Sequence, residues 1–155
     1  MSAYSRGSGF TLLELMTAAL VGALLLGIAV PTYRAQIEKM KVEQAKRDLI
    51  SIAGLIERFR TTHAFKLPDS LDQLTGVPSP DPWGHAYAFL NFSAPIPGIN
   101  GQIRKDHNLH PLNTEFDLYS LGADGLSAAA LTARASQDDV LWAQDGSFVG
   151  LASDF

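Results

Sequence analysis

Near its N-terminus the chain has a block of apolar residues that is longer and less interrupted than any later one. Residues from Phe10 to Val30 are nearly all apolar, and Glu14 is the one charged side chain among them. About 20 consecutive apolar residues in a helix span the hydrocarbon core of a bilayer. The pattern therefore predicts a membrane-spanning helix over residues 10–30, preceded by a short polar leader over residues 1–9.

An amphipathic pattern follows this block directly. Pro31 removes one backbone hydrogen bond and favours a kink, but the helical periodicity continues beyond it. Apolar side chains recur at steps of three to five residues, with charged side chains on the opposite face. The apolar set is Tyr33, Ile37, Met40, Ala45, Leu49, Ile52, Ile56 and Phe59. The helix is therefore predicted to continue over residues 31–62 as an amphipathic stem, whose apolar stripe must be covered by residues 63–155. Strict heptads are absent, which disfavours a coiled coil.

Residues 63–155 contain short apolar or alternating segments separated by turn residues, a pattern typical of strands. The predicted strands cover residues 86–91, 116–121, 140–143 and 148–151, and a short helix covers residues 70–74. Asp145-Gly146 between the last two strands is a hairpin signal. The fold class is thus predicted to be α+β, with a long N-terminal helix packed on a small antiparallel β-sheet.

Two segments between these elements lack a regular pattern. Residues 93–112 are polar and rich in Pro and Gly, which predicts a long exposed loop. Residues 126–137 are ambiguous, because Ala128 to Ala135 has helix propensity but few large apolar residues.

Composition narrows the function classes without choosing one. The formal net charge is −4 and the chain has no cysteine. With no long basic cluster, nothing in the composition favours a nucleic-acid partner. A domain without disulfides must be held by packing, hydrogen bonds or a bound ion.

Glu14 is the first candidate functional residue. A carboxylate in the hydrocarbon core costs on the order of 2.5–3.5 kcal/mol on insertion scales, so an intramembrane Glu is a functional hypothesis by default. The nearest candidate partner is an amine at Phe10, which would be freed if the chain were cut after Gly9.

Gly9, Phe10, Glu14 and the apolar run resemble the N-terminal signature of type IV pilins and type II secretion pseudopilins. The resemblance implies that a prepilin peptidase cuts after Gly9 and methylates Phe10. It implies that the apolar helix is both membrane anchor and filament core, with the C-terminal domain in the periplasm. An ordinary signal anchor that happens to contain Glu14 is the alternative interpretation.

Three later stretches resemble the major pseudopilin of type II secretion, in the same order along the chain. They are Lys66-Leu67-Pro68 with the helix that follows, Asp81-Pro82-Trp83-Gly84 with Tyr87, and the run from Phe116 to Gly125. The chain departs from that family in its long 93–112 segment and in continuing past Trp142 into an additional hairpin.

The resemblance also implies a calcium site after the second strand. A hard cation takes six to eight oxygen ligands from carboxylates and carbonyls. The implied ligands are the Leu121 carbonyl and the Asp124 carboxylate, with Asp138 or Asp139 from across the loop, of which Asp139 aligns better. The alternatives are that Asp124 bonds its own turn and that Asp138 and Asp139 are solvated.

The loop that would wrap this ion is altered. The family's glycine-rich loop is replaced by residues 126–137, which contain no glycine. Without an ion, Leu126 and Leu131 are the predicted apolar anchors of the loop.

No catalytic residue is predicted. Ser120 lacks a nucleophile-elbow context, no phosphate-binding glycine loop is present, and the histidines at positions 63, 85, 107 and 110 are interpreted as solvated rather than as zinc ligands.

The resemblance implies a structural subunit of a periplasmic pseudopilus, anchored in the inner membrane and polymerising with itself. The implied partners are minor pseudopilins, the prepilin peptidase and an inner-membrane assembly platform. A type IV or competence-type pilin is the first alternative. A membrane-anchored periplasmic ligand-binding module is the alternative from another class.

Overall fold

The computed structural model describes residues 9–107 and 109–155. The chain forms two compact units, Met1–Lys39 and Met40–Phe155. The leader predicted over residues 1–9 lies outside the described residues except for Gly9.

One α-helix, α1, extends from Leu12 to Thr62, so its end agrees with the predicted end of the stem. In the first unit it passes through Pro31 without interruption, and the Thr32 hydroxyl donates to the Ile28 carbonyl at 2.9 Å. Among the described residues of this unit no side chain is buried. By length and composition α1 is apolar enough to cross a membrane, with a mean hydropathy of 2.2 in its most apolar window.

In the second unit, α1 buries one side of its surface. Ala45, Leu49, Ile52 and Ile56 are buried at steps of three and four residues, which places them on one helix face. Met40, an earlier member of the predicted stripe, is exposed. The opposite face is charged and carries pairs such as Lys46 with Glu43 at 2.8 Å.

The helix packs on a four-stranded antiparallel sheet of order β1-β2-β3-β4. The strands are β1 Ala88–Asn91, β2 Phe116–Ser120, β3 Val140–Ala143 and β4 Phe148–Leu151. The predicted α+β class is therefore confirmed, and β3 and β4 have the predicted bounds. Side chains alternate across the sheet. The first face supplies Phe116, Leu118 and Val140 to the core against α1.

The second face of the sheet is also covered. A separate apolar cluster joins Leu141 and Ala143 of β3 to Leu112, Leu131 and Ala152. Phe148 and the C-terminal Phe155 pack against this cluster with their rings edge to face, 5.0 Å between centroids. The additional C-terminal hairpin therefore contributes to the core on both faces of the sheet.

The prediction of an exposed loop over residues 93–112 is wrong at three positions in its second half, although most of the described residues there are exposed. Ile103, Arg104 and Leu112 are buried. Lys105 forms an isolated parallel bridge with Ala130, in which the Lys105 N–H donates to the Ala129 carbonyl at 2.9 Å. A few buried side chains and paired backbone groups are enough to anchor a segment whose overall composition is polar.

The ambiguous segment 126–137 forms no α-helix, and its regular part is a 3₁₀ turn at Arg134–Ser136. Leu131 is 2% exposed, whereas Leu126 is 62% exposed. Of the two predicted apolar anchors, only Leu131 packs. The predicted short helix over residues 70–74 is a 3₁₀ turn at Leu71–Gln73, and Leu71 and Leu74 pack on the core as expected.

Candidate functional site

The predicted processing residues lie just before α1. Phe10 is 79% exposed, and a side chain added at Gly9 would meet nothing within 4 Å. Neither residue is held by the fold. Packing among the described residues does not require a glycine at position 9, and recognition by a prepilin peptidase stays its predicted role.

Glu14 stands in the first turn of α1. Its backbone N–H donates to the Thr11 hydroxyl at 3.2 Å, so Thr11 acts as the N-cap residue with Glu14 three positions later. This is the Thr-x-x-Glu order of a capping box, and a carboxylate is favoured near a helix N-terminus. This local role was not predicted from the sequence, although the spacing of Thr11 and Glu14 indicates it. The Glu14 side chain itself is exposed, and its role in assembly stays a prediction.

In the second unit, Asp81 organises the Asp81-Pro82-Trp83-Gly84 turn. The carboxylate oxygen Oδ1 accepts the backbone N–H groups of Trp83 at 3.1 Å and His85 at 2.8 Å. Oδ2 accepts the hydroxyl of Ser120, at the end of β2, at 2.5 Å. Asp81 and Ser120 are both buried. Two of the stretches that carry the resemblance are thus parts of one hydrogen-bonded unit.

The turn after β2 contains two glycines with positive φ, and the absence of a side chain at each lets the turn fit closely against its neighbours. At Gly122 (φ 63°) a Cβ would lie 2.2 Å from the Asp138 carbonyl oxygen, and at Gly125 (φ 68°) it would lie 2.7 Å from His85 Nε2. His85 Nδ1 is 3.1 Å from the Gly122 carbonyl oxygen. Any side chain at either glycine would displace a neighbour, so the turn requires glycine at both positions.

Asp124 and Asp138 both bind backbone groups of this turn. Asp124 Oδ1 accepts the Leu126 N–H at 2.8 Å, which is the turn-forming role proposed as its alternative. Asp138 Oδ2 accepts the N–H groups of Ala123 at 2.8 Å and Asp124 at 3.0 Å. Leu121 directly follows the last residue of β2.

Asp139 is turned to a different partner. It is 0% exposed, and its Oδ2 accepts Arg104 Nη2 at 2.7 Å and the Ser127 hydroxyl at 2.6 Å. Arg104 Nη1 donates in turn to the Ser127 hydroxyl. Burial raises the pKa of Asp139, and the Ser127 hydroxyl and Arg104 oppose that rise. The alternative prediction that Asp139 is a solvated loop residue is therefore wrong.

The three carboxylates predicted to hold calcium, at Asp124, Asp138 and Asp139, each bind a group of the protein itself in this arrangement. Among residues 9–107 and 109–155, no three or more His, Cys, Asp or Glu side chains form a group that could hold a metal ion. Asp138 and Asp124 each give an oxygen to backbone N–H groups, and Asp139 is paired with a guanidinium. Calcium binding stays a prediction drawn from the resemblance alone.

Arg104 and Asp117 are the residues of this region that the sequence analysis missed. Asp117 Oδ2 accepts the Arg104 backbone N–H at 2.7 Å, and Asp117 Oδ1 accepts the Asn113 amide at 3.1 Å. The Arg104 guanidinium also lies 4.2 Å from the ring centroid of Tyr119. A signal for Asp117 was present, because it interrupts an apolar strand. Arg104 has no such signal in a polar segment.

Comparisons with known proteins agree with the N-terminal pattern and extend it to most of the chain. Residues 4–30 match the prokaryotic N-terminal methylation motif. The chain is 31% identical over 139 residues to the type II secretion system core protein G of Pseudomonas aeruginosa, covering 76% of this chain and 84% of that protein. It is 26% identical over 142 residues to the protein of the same name from Klebsiella pneumoniae, covering 78% of this chain and 88% of that protein. No solved structure matches the chain significantly.

Proposed function

Because the chain belongs to the family of the type II secretion system core protein G, we propose that it polymerises into a periplasmic pseudopilus after cleavage between Gly9 and Phe10. The chain is a pseudopilin, a structural subunit of type II secretion. A structural subunit of this kind has a non-enzymatic role.

The observation that carries the proposal is the unburied apolar half of α1. No residue in the apolar stretch of this helix is buried within the protein, and Leu13, Leu20 and Leu25 are all exposed. Exposed apolar surface of this extent is unfavourable in water, since each square ångström costs roughly 25 cal/mol. Lipid before assembly and the equivalent helices of other subunits after assembly are environments that would cover it.

Gly9, Phe10 and Glu14 are proposed to connect processing to assembly. Cleavage would turn the backbone N–H of Phe10 into a charged amine at the start of the mature chain. Such an amine could pair with the exposed Glu14 carboxylate of a neighbouring subunit. A pair of this kind adds little net stability but can fix a register, here the axial position of one subunit on the next.

The proposed location follows from the same processing. The leader would face the cytoplasm, α1 would cross the inner membrane, and the unit Met40–Phe155 would lie in the periplasm. The proposed partners are further copies of the chain, minor pseudopilins, the prepilin peptidase and an inner-membrane assembly platform.

The test is complementation of a deletion strain in the organism of origin. The full chain should restore export of type II substrates, and overexpression should give filaments that crosslink through this subunit. Surface pili without restored export would support the type IV or competence-type pilin instead. A membrane-anchored protein that yields neither filaments nor export would support the ligand-binding module.

A further inference from the structure

We infer that the second unit folds without calcium. The Arg104 guanidinium supplies a permanent positive charge inside the protein, and this charge organises the loop between β2 and β3. Arg104 comes from the segment between β1 and β2, and it is 2% exposed. Its guanidinium binds Ser127 in the first half of the loop and Asp139 at its end. One side chain therefore joins two points of the loop to a third segment.

The burial of Asp139 creates the need for a cation at this place. A carboxylate removed from water requires a paired positive charge or it becomes protonated. Asp139 Oδ1 has no hydrogen-bond partner among the described residues, so the favourable interactions of this carboxylate come through Oδ2. Arg104 is the cation at Oδ2, 2.7 Å away.

The guanidinium occupies the carboxylate oxygen that a metal ion would bind. Calcium binds carboxylate oxygens at about 2.3–2.6 Å, and Nη2 of Arg104 already lies 2.7 Å from Asp139 Oδ2. A calcium ion on the same oxygen would stand beside a second positive charge. The two cations are therefore alternatives at Oδ2 of Asp139, and the guanidinium is always charged in a protein.

The position of Arg104 is fixed by contacts that do not involve Asp139. Its backbone N–H bonds Asp117 at 2.7 Å, its carbonyl accepts the Leu112 N–H at 3.1 Å, and its guanidinium stacks on Tyr119. The loop is likewise held by other means, because Leu131 is buried and the Ser136 hydroxyl binds the Ala128 carbonyl at 2.9 Å. A preformed cation and a packed loop together replace what a bound ion would do.

The first experiment needs no substitution. The full chain in detergent micelles is melted in millimolar calcium, in millimolar magnesium and in chelator, with near-ultraviolet circular dichroism of Trp83 and Trp142 as the signal. We expect one Tm in all three conditions. A Tm that rises with calcium but not with magnesium would overturn it, as would saturable calcium binding in equilibrium dialysis that is lost in Asp139→Asn.

The second experiment removes the internal cation. Arg104→Met retains most of the side-chain length and leaves Asp139 buried beside the Ser127 hydroxyl alone. Removing one partner of a buried pair is strongly destabilising, so a Tm lower by roughly 6–20 °C is expected. The control is Arg134→Met, an exposed arginine in the same loop, which should melt as wild type does.

A double variant separates the charge pair from general packing. Arg104→Met combined with Asp139→Asn removes both charges. The decrease in Tm of this double variant should therefore be smaller than the sum of the decreases in the two single variants. Simple additivity, or an Arg104→Met protein that melts like wild type, would overturn the inference. If Arg104→Met does not fold at all, the calcium and chelator comparison of the wild-type chain still decides the question.

Discussion

The hydroxyl of Ser120 donates to the carboxylate of Asp81 at 2.5 Å, and both side chains are buried. This bond joins the end of β2 to a turn that lies 39 residues earlier in the chain. The same Ser120 oxygen accepts the Gly122 N–H at 3.1 Å. The turn before β1 and the turn after β2 are therefore held as one piece.

Replacing Ser120 with Ala should destabilise the second unit. The Asp81 oxygen Oδ2 would lose its donor while staying buried, and a hydrogen bond to a charged group contributes about 1.5–3 kcal/mol. Urea unfolding of the full chain in micelles, followed by tryptophan fluorescence, measures the loss. Ser153→Ala, at an exposed serine, is the control. Equal midpoints for the two variants would show that the Ser120 bond contributes nothing.

Gly9→Val should leave the precursor uncut. A side chain at position 9 meets open space within the protein itself, so any effect would arise at the peptidase rather than from misfolding. Intact-mass analysis of the membrane-extracted protein should find the full-length chain for Gly9→Val. For wild type it should find a chain that starts at Phe10 and carries one methyl group.

The control for processing is Gly54→Val, another glycine with open space around it, which should be cut normally. A wild-type mature chain that begins at Met1 or Ser2 would contradict the processing proposal.

Two substitutions at Glu14 separate its role in helix capping from its role in assembly. Glu14→Gln keeps a residue suited to the third helical position of a capping box but removes the charge. Glu14→Leu removes both and should insert into the membrane at least as well as wild type. If an intermolecular ion pair sets the register, both variants should be inserted and processed but fail to support export and filament formation.

Full export by Glu14→Gln together with failure of Glu14→Leu would indicate that only the cap matters. Glu43→Gln, at an exposed position outside the apolar segment, should behave as wild type in every assay.

The Asp117 side chain should contribute more to the stability of the second unit at low pH than at neutral pH. Burial raises the pKa of Asp117, opposed by the Arg104 N–H, the Asn113 amide and the charges of Arg104 and His110. A folded pKa above the unfolded one means that the folded state binds the proton more tightly. This contribution is therefore fully present below the unfolded pKa, about 3.9, and is lost as pH rises through the folded pKa.

The measurement is the free energy of unfolding of wild type minus that of Asp117→Asn, followed across the acidic range. The difference should fall as pH rises and then become constant. A difference that rises with pH would mean that the hydrogen bonds to Asp117 outweigh its burial.

Local patterns were sufficient to locate α1 and the four strands of this chain. The periodicity from Tyr33 to Phe59 predicted the end of α1 at Thr62, and β3 and β4 have the bounds that their apolar runs indicated. These predictions succeeded because helices and strands repeat over a few residues, so each element carries its own signal. The patterns that predict the membrane segment and the processing residues are likewise formed by residues close together in the sequence.

Only the tertiary structure decided the environment of Asp139. Its partner Arg104 lies 35 residues away, in a segment whose composition predicts an exposed loop. Composition does not distinguish a solvated polar segment from one that packs on the second face of a sheet, because the difference lies in a few buried side chains such as Ile103 and Leu112. Once that segment packs, it brings the Arg104 guanidinium to the Asp139 carboxylate. Asp139 can be buried there because burying a charge without a partner would be too costly.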